Sequence, residues 1–457
     1  MRAFILVALA ACGAPPSAPV DGTPTLVRAR DLDPDPRVVH VELFAKPGTH
    51  AYLPGKEAAI WGYADGPDGE PTVPGPMIEA NVGDEIIVGL TNQLDTGTTI
   101  HWHGLRLPNG ADGSTSTQDP ILPGARYEAR FTAIDAGTFW YHPHVKADEQ
   151  IERGLHGAFI VHEASAPDVD ADRMFVLDDV KLMGNGQLSD VTDQLDLMLG
   201  RQGNVVLVNG LPHAALHVAP GAIERWRFVN VANGRYFSLR GPAFRVVSWD
   251  GGALDEAYDA ETLLIAPGER YDVLVTPEGG TSLITEHYDR GHDIPDPGPI
   301  ALIDLVSSGA PLPARALPSL VAAPFTSLGT SALTPVKAFV LKEVEDESGL
   351  RFMINDEVWP FNEHVHVEQG DTEIWEIDNA SEMDHPFHVH GMFFEVLSSN
   401  GAPPAHRGWK DTVNVPKMSK VRFAIRYDTV GMWMFHCHIL EHAERGMMGD
   451  LMVVARQ

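Results

Sequence analysis

Three ten-residue stretches of the chain share one pattern of apolar and polar positions: "GDEIIVGLTN" (Gly83 to Asn92), "GAIERWRFVN" (Gly221 to Asn230) and "GDTEIWEIDN" (Gly370 to Asn379). Each opens on glycine, runs through alternating or continuous apolar residues at strand length, and closes on asparagine. That predicts three β-strands in equivalent places. Their starts lie 138 and 149 residues apart, so the chain reads as three similar units, the signature of an internal repeat. Elsewhere Gly, Pro, Asn and Asp break the sequence into short apolar runs with few helical periods. This is the pattern of an all-β fold of Greek-key barrels or sandwiches. The expected units are residues 36–165, 166–312 and 313–457, with "SSGAPLPARALPSLVAAP" as the linker into the third.

Laying the first and third units over each other aligns their histidines. Nine and eleven residues after Asn92 stand His101 and His103, in "HWHG"; at the same offsets from Asn379 stand His388 and His390, in "HVHG". Later, "GTFWYHPH" matches "GMWMFHCH", so His142 and His144 correspond to His436 and His438. The middle unit has Leu239 and Gly241 at the first pair of positions and Thr285 and His287 at the second. It has no matching set. Side chains alternate along a strand, so each H-x-H pair presents two imidazoles on one face. One such pair is weak evidence of a metal site, but four pairs at matched positions of a repeat point to metal. Imidazole alone leaves copper, zinc, iron and nickel open.

Cys437 narrows the choice. It stands between His436 and His438, so on a strand its sulfur projects to the opposite face. His385 differs from His388 and His390 by an odd number of positions and faces away from them too. His442 and Met447 follow Cys437 by five and ten residues. Two histidines, a thiolate and a weak thioether make an electron-transfer copper set. One strand would then join two metal sites, one on each face.

The start of the chain bears on that thiol. Arg2, an apolar run from Phe4 to Ala11 too short to span a bilayer, and Leu9-Ala10-Ala11-Cys12 read as a lipoprotein-type signal ending at Cys12 (residues 1–12), followed by a tether (13–35). An ordinary secretory signal with an incidental cysteine is the alternative. Either way the protein is expected outside the cytoplasm, periplasmic or in the cell envelope, with a membrane contact only through a lipid on Cys12. Cys437 is then left without a disulfide partner. The net charge of -30 makes nucleic acid and anionic membrane surfaces poor partners.

"HWHG", "HPH", "HPFHVHG" and "HCHILEHAERGMM", in that order, resemble the four signature segments of three-domain bacterial multicopper oxidases, the laccase and copper-efflux-oxidase group. The likeness runs from about residue 36 to the end. It implies three cupredoxin-like domains and four copper ions. By position, His385, Cys437, His442 and Met447 match the type 1 copper ligands, with Met448 a competing axial candidate. His101 and His388 match the type 2 ligands. His103, His142 and His438 match one type 3 copper, and His144, His390 and His436 the other. The resemblance also implies four one-electron substrate oxidations for each O2 reduced to water, with Cys437 carrying the electrons and Asp112, in "PNGADG", as an acid near the cluster. Many bacterial relatives have an acidic residue directly after the last type 1 histidine; this chain has Ala443, flanked by Glu441 and Glu444.

For the substrate, relatives that oxidise Cu(I) carry a methionine-rich insertion over the type 1 site, and no such insert stands between Gly349 and His385. The expectation is a less covered site and small organic reductants, phenols and aromatic amines, with Cu(I) as the alternative donor. Met383 and Met392 are expected to be packing residues, and His364 and His366 of "EHVHVEQ" to lie on a surface strand. A non-catalytic scaffold on the same fold would have lost ligands, and no expected ligand is missing here.

Overall fold

In the computed structural model the described residues are 24–456, except 166, 191–192, 293–295, 319–324, 330–335, 347–348 and 361–363. The expected signal with Cys12, and the start of the tether, lie outside them.

The repeat frame becomes three strands with the same surroundings: Glu85–Asn92, Glu224–Asn230 and Thr372–Asn379. Each pairs in parallel with an earlier strand, Val38–Leu53, Ala171–Val180 and Val336–Asp346 respectively. On its other side each pairs antiparallel with a later one, Arg126–Thr132, Arg270–Val275 and Ser419–Arg426. The opening glycines hold φ of +88°, +80° and +87°, which a residue with a Cβ adopts only under strain.

The closing asparagines explain the other end of the frame. Asn92, Asn230 and Asn379 are fully buried. The side-chain amide of each donates to a pair of backbone carbonyls, Thr96 and Ile121, Arg235 and Ile265, Met383 and Val415, and that of Asn379 also reaches Pro416. Each Oδ1 accepts the backbone N–H two residues on, from Leu94, Ala232 and Ser381. One side chain thus pins the loop that leads into the next strand. In the first unit that next strand carries an H-x-H pair, and in the third the pair His388 and His390 spans the strand's end.

Strands 38–162 form two four-stranded sheets, strands 171–307 one nine-stranded sheet, and strands 336–454 a six-stranded and a five-stranded sheet. The α-helices among the described residues are short: Ala147–Glu152, Gln194–Leu199 and Leu440–Ala443. None is long and apolar enough to cross a membrane. One hydrophobic cluster runs through the first and third units, with Trp102, Phe139, Trp375 and Phe435 among its members. The middle unit has its own core, around Trp226 and Phe228. There the counterparts of the histidine strands pair with Leu239 facing Thr285, so the element is kept and the ligands are absent.

Candidate metal centres

Four short segments build the histidine site. His101–His103 pairs with Gly137–His142, setting His101 opposite His142 and His103 opposite Trp140. His385–Val389 pairs with Gly431–Cys437, setting His388 opposite His436 and Phe387 opposite Cys437. His144 and His438 follow just past the ends of their strands. The glycine closing each H-x-H-G has positive φ, +86° at Gly104 and +65° at Gly391. A Cβ at Gly104 would run into Arg270 and Asp411, and one at Gly391 into the Trp433 ring.

All eight paired rings are buried and gather at the seam of the first and third units. His101 stacks on His390 and His103 on His388, each with ring centroids 3.9 Å apart. The Nε2 atom of His436 lies 3.3 Å from that of His144 and 3.1 Å from that of His390. These three close into one triad with donor atoms within 4.8 Å of each other, as do His101 with His103 and His142, and His101 with His388 and His390. The ring of His438 sits 4.9 Å from that of His103 and 5.9 Å from that of His142.

Most of these rings are anchored through one nitrogen, leaving the other for a ligand. The Nδ1 atoms of His101, His142, His388 and His436 bond the carbonyls of Asp112, Pro143, Asp411 and Cys437 at 2.8–2.9 Å. His390 Nδ1 meets the Asp112 carboxylate at 3.1 Å, and His103 Nε2 the Thr412 hydroxyl at 3.3 Å. In contrast, Nε2 of His101, His142 and His388, Nδ1 of His103 and both nitrogens of His438 are buried with no hydrogen-bond partner among the described residues. Each such atom costs about 1–3 kcal/mol, and together they rival the whole stability of a protein. A bound metal resolves that cost. Burial pushes the ring pKa values of His103, His142, His144, His390 and His438 well below the ordinary range and that of His436 down to about 3. The rings are therefore neutral donors, as metal binding requires.

On the other face of the strand, Cys437 Sγ lies 3.4 Å from His385 Nδ1 and 3.9 Å from His442 Nδ1, and these two nitrogens are 3.3 Å apart. The thiol is buried and unpaired. His385 is held through Nε2 by the Ser381 hydroxyl at 2.8 Å and by Glu343 at 3.4 Å; Ser381 in turn is held by Asn379. His442 stacks on Phe352, and its Nε2 bonds the Met198 carbonyl at 3.1 Å. Such outer contacts orient ligand rings. Met447 is buried in the same cluster as Cys437, and its carbonyl accepts the Cys437 N–H at 3.0 Å. Met448 stands opposite His436 and so projects to the histidine face, packing on Met434 and Ala443.

Three features differ from or go beyond the sequence reading. The site expected to be less covered has both of its rings, His385 and His442, fully buried. The cover comes from the middle unit, where the helix Gln194–Leu199 supplies the Met198 carbonyl and Arg201 N–H bonds Glu441 at 3.0 Å. Asp411 and Arg270 belong to no sequence motif. Asp411 approaches His103 and His388 to 3.4 Å and is clamped by both arms of Arg270 at 2.7 and 2.6 Å. Burial alone would raise the Asp411 carboxyl, but Arg270 holds it well below the usual range. No spacing or motif in the sequence signals this pair; in the structure Asp411 sits next to Thr412, which stands opposite His388. Finally, Glu441 and Glu444 turn to Asn233 and to the Ala147 N–H, and burial pushes each carboxyl up to about 7. His366 is exposed on an edge strand, as expected, while Met383 and Met392 are core.

Three family profiles, each described as multicopper oxidase, match residues 47–166, 180–288 and 332–457. The chain is 31% identical over 416 residues to "Multicopper oxidase MmcO" of Mycobacterium tuberculosis, covering 82% of this chain and 81% of that one. A solved multicopper oxidase of Campylobacter jejuni, described as a metallo-oxidase, superposes with a TM-score of 0.83 at 29% identity over 97% of this chain and 96% of that one. A laccase-like multicopper oxidase of Ochrobactrum sp., with oxidase activity towards lignin model compounds, superposes with a TM-score of 0.82 at 28% identity, over 94% of this chain and 100% of that one.

Proposed function

Because the chain belongs to the multicopper oxidase family, and is thus a cupredoxin-fold copper oxidoreductase with oxygen as its acceptor, we propose that it works as a laccase holding one type 1, one type 2 and two type 3 coppers. His385, Cys437, His442 and Met447 would hold the first, and His101 with His388 the second. His103, His142 and His438 would hold one of the type 3 pair, and His144, His390 and His436 the other. Bound copper supplies one-electron acceptance at the sulfur-containing set and, at the histidine set, reduction of O2 with four electrons and four protons to two waters.

The chain's own part is connection and exclusion. His438 follows Cys437 by one peptide bond, and the Cys437 carbonyl accepts from His436 Nδ1 at 2.9 Å. One covalent and one hydrogen-bonded path therefore join the sulfur to rings of the other face. Burial of all eight rings keeps bulk water from the oxygen site. Asp112 is fully buried, with its carboxylate 3.1 Å from His390 Nδ1 and 3.3 Å from His101 Nδ1. Burial alone would raise its carboxyl, but His390 and His101 hold it well below the usual range, so it stands as a carboxylate placed to take up and pass on a proton. The single observation that carries the reading is the sulfur of Cys437 lying beside two imidazoles on one face, while its two sequence neighbours join the histidine cluster on the other.

Phenols and aromatic amines are the proposed donors. A second reading, oxidation of Cu(I), is favoured by the likeness to a solved multicopper oxidase described as a metallo-oxidase. Side-by-side turnover with a phenol, an aromatic diamine and Cu(I) separates the two. Faster turnover of the organic donors supports the first reading, and a Cu(I) preference replaces it with the second. Export, with a lipid on Cys12, completes the proposal and is carried by the sequence of residues 2–12.

A further inference from the structure

Residues 288–292 of the middle unit lie along the segment that leads into His385. Gly291 bridges Met383, and the Arg290 carbonyl accepts the N–H of Asp384, the residue before His385, at 2.8 Å. Gly291 has φ of +113°, and a Cβ there would run into the Glu382 carbonyl. The turn that carries Arg290 is thereby fixed against the third unit.

Arg290 is 1% exposed, yet no acid pairs with it among the described residues. Its Nε and Nη2 bond the Gln202 amide oxygen at 3.2 and 2.9 Å, and Nη1 has no hydrogen-bond partner among the described residues. The guanidinium stands 5.9 Å from the Tyr236 ring, and Tyr236 Oη donates to Asn414 Oδ1 at 2.9 Å, opposite Pro386 on the strand of His385. The carboxylates that act most on Arg290 are engaged elsewhere: Asp179 with Arg235 and the Gly203 N–H, Glu441 with Asn233 and the Arg201 N–H. Burial pulls its pKa down to about 10, so the group stays charged at neutral pH. An unpaired buried charge costs stability, and keeping one calls for a use.

The charge bears on the sulfur site. Arg290 is among the groups acting on both the Cys437 thiol, which burial pushes up, and the His442 ring, which burial pushes down. Glu343, the carboxylate that approaches His385 at 3.4 Å, is itself paired at 3.0 Å with His292, whose pKa it raises. That pair largely cancels, whereas Arg290 has no such partner. A site that gains an electron near an uncompensated positive charge holds it more tightly.

We propose that Arg290 is a positioning charge that raises the reduction potential of the sulfur site and so widens the range of phenols and aromatic amines it can oxidise. Arg290 gains and loses nothing in the step. One electron moves from the donor to the site, and the oxidised donor gives its proton to water. The inference rests on the reading of His385, Cys437, His442 and Met447 as a type 1 set.

The test titrates copper-loaded protein against a soluble redox couple while following the thiolate-to-copper band. Arg290→Met and Arg290→Gln are each expected to hold the electron about tenfold less tightly, a fall of about 59 mV for one electron, with the wavelength of the band unmoved. Copper-free Arg290→Met should melt at or above the parent temperature, because an apolar side chain replaces an unpaired buried charge. If both variants keep the parent potential, or only the Met variant lowers it, the charge is not the cause and the proposal falls. A displaced band together with a lowered melting temperature makes Arg290 structural and overturns it as well. Absence of the band from the parent protein removes the type 1 reading itself, and with it the site that Arg290 would tune.

Discussion

The three closing asparagines allow one perturbation to be made three times in one molecule. In Asn230→Ala, the carbonyls of Arg235 and Ile265 and the N–H of Ala232 each lose a buried partner. Asn379→Ala removes the equivalent bonds to the Met383 and Val415 carbonyls and from the Ser381 N–H, together with one to the Pro416 carbonyl and one from the Ser381 hydroxyl. Three buried groups at about 1 kcal/mol each give a loss of about 3 kcal/mol at Asn230, and Asn379 loses at least as much. For units of this size that lowers the unfolding midpoint by about 6–12 °C. The two positions differ in their link to the sulfur site. Asn379 also accepts from the Ser381 hydroxyl at 2.7 Å, and that hydroxyl holds His385 Nε2 at 2.8 Å. Asn230 belongs to the unit that carries none of the proposed ligands. Calorimetry and visible absorption of the copper-loaded protein should show both variants destabilised, with the thiolate-to-copper band displaced only in Asn379→Ala. An unchanged band in Asn379→Ala, or a displaced one in Asn230→Ala, would refute the account of how the repeat positions the sulfur site.

Cys437→Ser should abolish both the thiolate-to-copper absorption and turnover while the histidine site still fills; surviving oxidase activity would contradict the electron path. Arg270→Met leaves Asp411 buried and unpaired, an expected cost of about 3–5 kcal/mol, and metal analysis should find the histidine site partly depleted. A melting curve like that of the parent would show the clamp to be dispensable. Burial pushes the Glu152 carboxyl up to about 8 from its ordinary 4.5. The folded state therefore holds a proton that the unfolded chain releases, so this group's contribution falls as pH rises from about 4.5 to 8, by at most about 1.4 kcal/mol per pH unit. Glu152→Gln should flatten stability against pH across that window, and an unchanged slope would assign the dependence elsewhere.

Position parity along the chain was enough to read the sulfur and histidine faces. Cys437 pairs with Phe387 and His436 with His388, so odd and even positions separate as a strand requires. The repeat frame located the three pinned strands for the same reason, since hydrogen bonding within one unit leaves a fixed spacing. Contacts across units leave no such trace. Arg270 on a middle-unit strand meets Asp411 beside the two-residue strand Trp409–Lys410, which is too short to show any periodicity. The cover over His442 is a carbonyl, and a carbonyl has no residue type. The missing methionine-rich insert pointed to a less covered site because such an insert would belong to the third unit, whereas the segment over His442 is supplied by the second.

The histidine site also sets a clock on biosynthesis. His144 and His436 touch at Nε2 although 292 positions separate them, and a single hydrophobic cluster spans the two units they come from. At ribosomal speeds, the early half of the donor set waits roughly 15–60 s for the late half to be made. During that interval a nascent chain has some of the imidazoles for oxygen chemistry but neither its cysteine nor its closing wall. The sulfur set and the histidine set are therefore completed together, by the segment that runs from Gly431 to Val454.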